Sequence, residues 1–411
     1  MADTGGTPSC HNPNPEVLNV LEALKKASHE LQAHPHVTGS SAESDHPDSS
    51  SSIKALLELQ TESDALLSSD PYLCNLSNHL STLKSLVQKL RGSKGYSLRS
   101  FLTRHASAHS ISRVAESIGS EIQAWIDREI VEELMNRLKE LNGGGDDEEE
   151  VIRLLGRFEK RVSQGFDREL QDLVLKSKLL VRLEESLGNP KWSTRLREHA
   201  AFVIAALMKF NKDVFVGLVP LGQTIRALIT IASVDSLKVL ILLIRSIKSA
   251  IVDEIESNGE IPKIIGFLDC KDLQFRLVAM DSILEMGYFG RKEAIEAMLN
   301  AGLIEKLMEL QRSSLGGALI DSSRYNNDLG HETEDNNIGE GRRSRERKFL
   351  DCHPFASCVA RFAVQLEVGE GLRQRERRAF KQEVLERVRE ASDTDAEAAT
   401  VIAEVLWGSS P

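Results

Sequence analysis

The residues of this chain that could do chemistry include a cysteine–histidine group. Cys352, His353 and Cys358 could in principle hold a metal ion or provide a reactive thiol. No CxxC pair occurs, however, and the spacing of the group does not match a zinc site. Cys358 also falls at an apolar position of a helical pattern, where free cysteine is usually part of a core. We therefore predict no metal site.

Signatures of catalysis are missing from the sequence. It contains no GxSxG nucleophile turn, no phosphate-binding GxxxxGK[ST], no HExxH zinc helix and no GxGxxG ahead of a helix. Serine, histidine and aspartate are common, so a triad assembled only in space stays open. We predict that the protein is not an enzyme, has no catalytic residues and uses neither a cofactor nor a small-molecule substrate.

The sequence contains two clusters of basic side chains, of which the first could bind phosphate or serve as a localisation signal. The members of the first cluster are Arg342, Arg343, Arg345, Arg347 and Lys348. This run could equally neutralise the acidic residues that precede it. The second cluster consists of Arg373, Arg375, Arg377 and Arg378, which can pair with the chain's own acids. Because the net charge is −11, we do not expect the chain to bind nucleic acid.

The composition favours helices packed on helices. Of the 411 residues, 41% are hydrophobic but only 5% are aromatic, and aliphatic side chains suit helical packing. The start, MADTGGTPSCHNPNP, lacks the features of a secretory signal, and Gln223, Thr224 and Arg226 interrupt the apolar stretch from Val214 to Val234. We expect no membrane span and a cytoplasmic or nuclear location.

Apolar periodicity divides the chain. Residues recur every three or four positions from Ile111 to Leu141, which predicts one helix of about eight turns. We predict these segments in order: a disordered N-terminus at 1–13, a helical bundle at 14–142 with a Ser-rich linker at 37–52, a Gly-rich and acidic turn with a connecting helix at 143–170, and about five repeats at 171–411.

The second half of the chain repeats an apolar triplet with the i, i+4, i+7 spacing of one helical face. The triplets are Ala200, Ile204 and Leu207; Leu240, Ile244 and Ile247; Ala279, Ile283 and Met286; Val359, Ala363 and Leu366; and Ala398, Ile402 and Val405. Most steps are near 40 residues, which is typical of armadillo and HEAT solenoids. The step from Ala279 to Val359 is twice as long. Because residues 312–348 are too polar to supply a buried triplet, we predict a disordered loop inside the fourth repeat.

Glycine-led phrases favour one of these two families. Asn258-Gly-Glu-Ile-Pro-Lys-Ile-Ile and Ala301-Gly-Leu-Ile-Glu-Lys-Leu resemble the start of the second helix in armadillo repeats. The resemblance covers about residues 171–411. It implies an all-α protein with an N-terminal helical bundle followed by an armadillo-like α-solenoid.

The combination of bundle and repeats resembles plant U-box armadillo proteins. The phrase Leu83-Lys-Ser-Leu-Val-Gln-Lys-Leu and the long helix from Ile111 are similar to the domain that precedes the U-box in those proteins. A U-box needs proline-bearing loops, whereas no proline occurs between Tyr72 and Asn189. The resemblance therefore implies a relative that lacks the ubiquitin-ligase module.

A solenoid of this kind binds partners along its concave side, which its third helices line. The inward triplets place the following residues at groove positions: Phe202, Leu242, Ser246, Asp281, Glu285, Arg361 and Gln365, with Ala206, Thr400 and Glu404. Import receptors of the armadillo family carry Trp and Asn rows there, which this chain lacks. The row is apolar first and acidic in the middle, which favours a partner with a hydrophobic anchor and nearby basic residues. Alternatively, Phe202 and Leu242 pack against neighbouring helices.

These observations predict a non-catalytic scaffold or adaptor that binds a segment of a partner protein in the groove. The alternative is a component of a ubiquitin-ligase pathway that recruits substrates or competes for them. The sequence does not identify the partner.

Overall fold

The computed structural model describes residues 15–33, 74–92, 98–140, 146–316 and 352–407. Within these ranges the secondary structure is helical and contains no strand, which confirms the all-α fold class. The predicted disordered N-terminus, the Ser-rich linker at 37–52 and the basic run at 342–348 lie outside the described residues. The described helices group into two compact units.

The first unit contains four of the helices. They are α1 (Pro15–Ala33), α2 (Cys74–Gly92), α3 (Leu98–Glu140) and α5 (Arg168–Ser177). The helix predicted from Ile111 to Leu141 begins earlier, at Leu98, and spans 43 residues as α3. Ser28 on α1 donates a hydrogen bond to the carbonyl of Ala115 on α3. Buried leucines and isoleucines at helical spacing, including Leu24, Leu80 and Ile118, form the core of this unit.

The second unit contains the other fourteen described helices. They are α4 (Asp146–Val162), α6 (Leu179–Gly188), α7 (Thr194–Phe210), α8 (Lys212–Phe215), α9 (Leu221–Ile231), α10 (Val234–Ile247), α11 (Ser249–Ser257), α12 (Ile261–Gly266), α13 (Leu273–Phe289), α14 (Lys292–Asn300), α15 (Leu303–Arg312), α16 (Cys358–Val368), α17 (Gln374–Ala391) and α18 (Asp395–Trp407). Short 3₁₀ turns follow α8 and α12.

Side chains fix where the long helices of this unit begin. Ser193 caps α7 by accepting a hydrogen bond from the amide of Leu196, and Ser233 caps α10 with a reciprocal bond to Ser236. Asp272 caps α13. These oxygens satisfy amides that the first helical turn leaves without partners. A polar residue therefore sets the start of these three helices.

Within the second unit, the last helix of each repeat is its third helix. The third helices of successive repeats pack side by side in the row α4, α7, α10, α13, α16, α18. The predicted triplets of α7, α10, α13 and α16 are buried. The last triplet was partly wrong: Val401 and Val405 are the buried residues of α18, whereas Ala398 and Ile402 keep part of their surface exposed. The outer side of α18 has no further helix against it in the described chain, so its burial pattern differs.

The helices on either side of the predicted loop belong to one repeat. Helix α15 runs to Arg312, at the predicted start of the inserted loop, and a turn follows it to Gly316. The rest of the predicted loop lies outside the described residues. Helix α16 packs directly against both α13 and α15. It is therefore the third helix of the repeat whose first two helices are α14 and α15. Helix α4, from the segment predicted as a connection, packs against α7 and opens the row.

No single helix in the described ranges is long and apolar enough to cross a membrane. By length and composition one helix pair passes the same test, Lys212–Leu218 with Leu221–Ile231, and it is bent by 82°.

Candidate protein-interaction groove

The exposed faces of the third helices form one surface, which we call the groove. All ten residues predicted for its groove positions keep part of their surface exposed, while the triplets of α7, α10, α13 and α16 beside them are buried. Leu242 is 41% exposed, which is high for a leucine on a packed helix. Phe202 is half-buried, so packing against neighbours accounts for part of its surface. The groove therefore has an apolar section on α7 and α10.

The middle of the groove carries a charged strip, which consists of Arg245, Asp281, Glu285 and Arg361. Nε and Nη2 of Arg245 donate hydrogen bonds to Oε1 of Glu285 at 2.9 and 2.7 Å. Burial raises the pKa of the Asp281 carboxyl, although the side chain as a whole is exposed, while the nearby Arg361 and Arg245 lower it. Nη1 of Arg361 donates to the carbonyl of Pro354 at 2.8 Å.

The charged strip contains two acids and two arginines, so its acidic residues are neutralised within the protein. The sequence pattern indicated an acidic centre, but Glu285 is bound by Arg245 and Asp281 lies in the field of two arginines. Arg245 was missed because only the two positions per helix nearest the triplets were considered. Its separation of 40 residues from Glu285 matches the repeat period, and this is the signal that could have identified the pair.

The last section of the groove is polar. Nε2 of Gln311 donates a hydrogen bond to Oε2 of Glu404 at 2.9 Å. Burial raises the pKa of the Glu404 carboxyl, while hydrogen bonds from Gln311 and Ser357 lower it. Thr400, also on α18, is half-buried. This end therefore offers a carboxyl group that is already hydrogen-bonded within the protein.

Helix α4 adds a further section that the sequence pattern did not predict. Oε1 of Glu148 accepts a hydrogen bond from the amide of Ser193 at 3.0 Å, and Glu149 pairs with Arg195 at 3.1 Å. These contacts join the N-terminal ends of α4 and α7, so two acids of the predicted Gly-rich and acidic turn hold neighbouring helices together. The exposed face of α4 carries Arg153 and Arg157.

Helix α4 itself was predicted as a connecting helix within 143–170, but it was not assigned to the row because its spacing differs. Val151, Leu155 and Phe158 are buried with the i, i+4, i+7 spacing of the repeat. They precede the first predicted triplet by about 50 residues, not by the usual period near 40. A search for the triplet alone, without a fixed period, would have assigned this helix to the row.

Two residues that the sequence suggested for chemistry, Cys358 and Arg377, make contacts that hold the fold together. Cys358 is buried with Sγ 3.1 Å from the carbonyl oxygen of Leu307, and burial raises the pKa of its thiol to about 12. Arg377, from the second basic cluster, donates hydrogen bonds to three main-chain carbonyls, those of Glu367, Gly369 and Leu372. In the described part of the chain no group of three or more His, Cys, Asp or Glu side chains is arranged to hold a metal ion.

Several solved structures are similar in fold at low sequence identity. A designed armadillo repeat protein in complex with the peptide (KR)4 is 17% identical with a TM-score of 0.37, over 67% of this chain and 98% of that one. An engineered protein is 15% identical with a TM-score of 0.39, over 95% and 98%. A mutant of Kap121p is 14% identical with a TM-score of 0.39, over 97% of this chain and 46% of that one.

No protein-family model and no curated protein sequence matches the chain. The class of the protein rests on its own architecture: helical units with a period near 40 residues, whose third helices pack in a row. The second unit is an armadillo-like α-solenoid.

Proposed function

We propose that the protein is a non-catalytic scaffold or adaptor that binds an extended segment of a partner protein in the groove. The observation that carries this proposal is the row of third helices, whose exposed faces present Phe202, Leu242, Asp281 and Gln365 in order. A surface that spans several repeats suits a ligand without its own globular fold, because each repeat contacts a short stretch of it.

The side chains of the groove suit this role. Leu242 is the exposed anchor, and Phe202 can contribute the accessible part of its ring. A few such apolar anchors supply most of the binding free energy of an interface. The charged strip would add less to affinity, but it would select the partner and orient it.

Two finer predictions from the sequence become part of this proposal. We propose that the protein acts in the cytoplasm or nucleus and that it catalyses no transfer of ubiquitin. The relation to plant U-box armadillo proteins stays a prediction. Incubation of the purified protein with ubiquitin and its activating and conjugating enzymes tests the second point, because ubiquitin chains formed by this polypeptide alone would contradict a non-catalytic scaffold.

Proximity labelling with the full-length protein tests the groove. We would compare the wild type with Leu242→Asp, which places a charge on the anchor, and with Val181→Asp as the matched control. Val181 is 47% exposed on α6, which is not one of the third helices. We expect partners to be lost in Leu242→Asp and kept in Val181→Asp, at equal helical content by circular dichroism. An identical partner set for all three proteins would overturn the proposal.

A further inference from the structure

We infer that the partner segment is acidic beside its apolar anchor, although the sequence pattern alone favoured a basic one. This inference rests on the proposed function and names the chemistry of the ligand. Two groups of charges in the groove differ in their partners. The acids in its middle already interact with arginines of the protein, whereas several cations at its first end have no ion-pair partner among the described residues.

The acids in the middle of the groove offer little to a basic ligand. Both guanidinium contacts of Arg245 end on Glu285, and the side chain of Glu285 is only 20% exposed. A lysine or arginine from a partner would have to displace Arg245, so one ion pair would be exchanged for another. Asp281 also lies in the field of Arg361. The strip is therefore neutral as a whole and does not select for basic residues.

At the first end of the groove, by contrast, cations are left without ion-pair partners in the described part of the chain. We call this region the basic end and define it as Arg157 and Lys160 on α4 with Lys209 on α7. Arg157 is half-buried, and Lys160 and Lys209 are exposed. Within the described residues none of the three has an ion-pair partner. In a chain with a net charge of −11, three such cations on neighbouring helices form a local positive field.

The packing of α4 on α7 brings these cations to one surface. The contacts Glu148–Ser193 and Glu149–Arg195 hold the two N-terminal ends together, so the helices run in the same direction. Their buried triplets have the same i, i+4, i+7 spacing, and we align them with Val151 opposite Ala200. In this register Arg157 corresponds to Ala206, and Lys160 corresponds to Lys209.

Two other arginines of this end are already bound. Arg153 pairs with Glu150 at 2.5 Å, and Arg195 pairs with Glu149. The acid of α7, Glu198, accepts a hydrogen bond from the hydroxyl of Ser233. Glu159 on α4 is a half-buried acid without an ion pair among the described residues, so three cations and one acid remain for a ligand and their sum is positive. Lys209 lies on the same helix as Phe202, and α4 packs on the other side of that helix from α10, which carries Leu242. A segment that carries carboxylates next to an aliphatic or aromatic residue complements this arrangement.

A random-peptide phage library selected on the full-length protein tests the inference. Phage that also bind Leu242→Asp are removed first, so that the retained peptides depend on the groove. We expect the retained peptides to carry Asp or Glu next to an aliphatic or aromatic residue. Their affinity, measured by fluorescence anisotropy with synthetic peptides, should fall as salt rises.

Charge reversal at the basic end provides the second arm. Arg157→Glu combined with Lys209→Glu should weaken binding of the selected acidic peptides by roughly tenfold, mainly through slower association. The matched control is Arg375→Glu combined with Arg378→Glu on α17, which changes the net charge equally at exposed positions outside the row of third helices. This control should leave the affinity close to that of the wild type.

The possible outcomes separate the inference from the proposed function. Retained peptides that are basic, or acidic peptides whose affinity is the same in the basic-end variant and its control, would overturn the acidic partner while leaving the groove as the binding site. If no peptide depends on Leu242, the proposed function fails, and the inference fails with it.

Discussion

Arg245 and Glu285 occupy neighbouring third helices and are joined by two hydrogen bonds of 2.9 and 2.7 Å to the same carboxylate oxygen. They are 40 residues apart, so the pair links the same level of two successive repeats. The contact lies on the exposed face of the row, where the side chain of Arg245 is 59% exposed. It therefore shapes the groove surface more than it stabilises the solenoid.

The first prediction concerns the stability that this pair provides. Exposed ion pairs contribute about 0.2–1 kcal/mol, because water screens them and two long side chains must be ordered. We expect the coupling in a double-mutant cycle of Arg245→Ala and Glu285→Ala to lie in this range. Urea denaturation of the four proteins measures it. A coupling of several kcal/mol would mean that the pair is a structural contact of the solenoid.

The second prediction concerns the turn between α16 and α17. The amides of Glu370 and Gly371 both donate to the carbonyl of Tyr288, at 2.8 and 3.2 Å. A Cβ atom on Gly371 would lie 2.1 Å from the carbonyl oxygen of Gly290, so the backbone would have to move. We expect Gly371→Ala to destabilise the protein by about 1–3 kcal/mol, as overpacking does.

Denaturation of Gly371→Ala beside Gly266→Ala checks this prediction. Gly266 has φ of −60°, and a Cβ there would meet nothing within 4 Å. Alanine at this position should be neutral or stabilise the protein by up to about 1 kcal/mol, because it restricts the unfolded chain. Equal stability of the two variants would show that the turn can move away from α13 without cost.

The third prediction concerns the cysteines. Alkylation requires the thiolate, and burial raises the pKa of the Cys358 thiol to about 12. Cys352, six positions earlier, is exposed. We expect iodoacetamide to label Cys352 in the native protein and to leave Cys358 unmodified, as read by peptide mass spectrometry. Both should react in guanidinium. Native labelling of Cys358 at the rate of Cys352 would contradict the packing of α16.

Much of this fold could be predicted from the spacing of apolar residues. Ile204, Ile244 and Ile283 recur near a 40-residue period, and each is fully buried on a third helix. This works because burial imposes the same spacing on every repeat that stacks between two others. At the ends of the row the rule weakens. Helix α4 lies outside the period, and α18 buries Val401 because it packs against the row on one side.

The charges of the groove could be predicted less well. The sequence places Asp281 and Glu285 on one face but does not show that Arg245, on the preceding third helix, reaches Glu285. Such a contact depends on the distance between helices and on side-chain conformation, which a helical period does not determine. The free cations Arg157 and Lys209 were missed for a related reason, since their common surface depends on the packing of α4 against α7.

The last prediction concerns the pH dependence of stability through Glu184 on α6. Its Oε1 atom is buried without a hydrogen-bond partner, and burial raises the pKa of the carboxyl from 4.5 to about 7. The folded protein therefore holds this proton more tightly than the unfolded chain. Stability from this group is complete below about pH 4.5 and is lost as the pH rises through about 7.

Replacement with a neutral isostere should remove this loss. We expect Glu184→Gln to be more stable than the wild type by on the order of 1 kcal/mol at about pH 8, a figure that allows for partial exposure, and the difference to shrink toward about pH 5. The matched control is Glu185→Gln, whose carboxylate is 57% exposed and pairs with Arg182. Urea denaturation between about pH 5 and pH 8 measures the difference in the free energy of unfolding. A gain for Glu184→Gln that does not change with pH would contradict the raised pKa, because the carboxyl would then be ionised across the whole range.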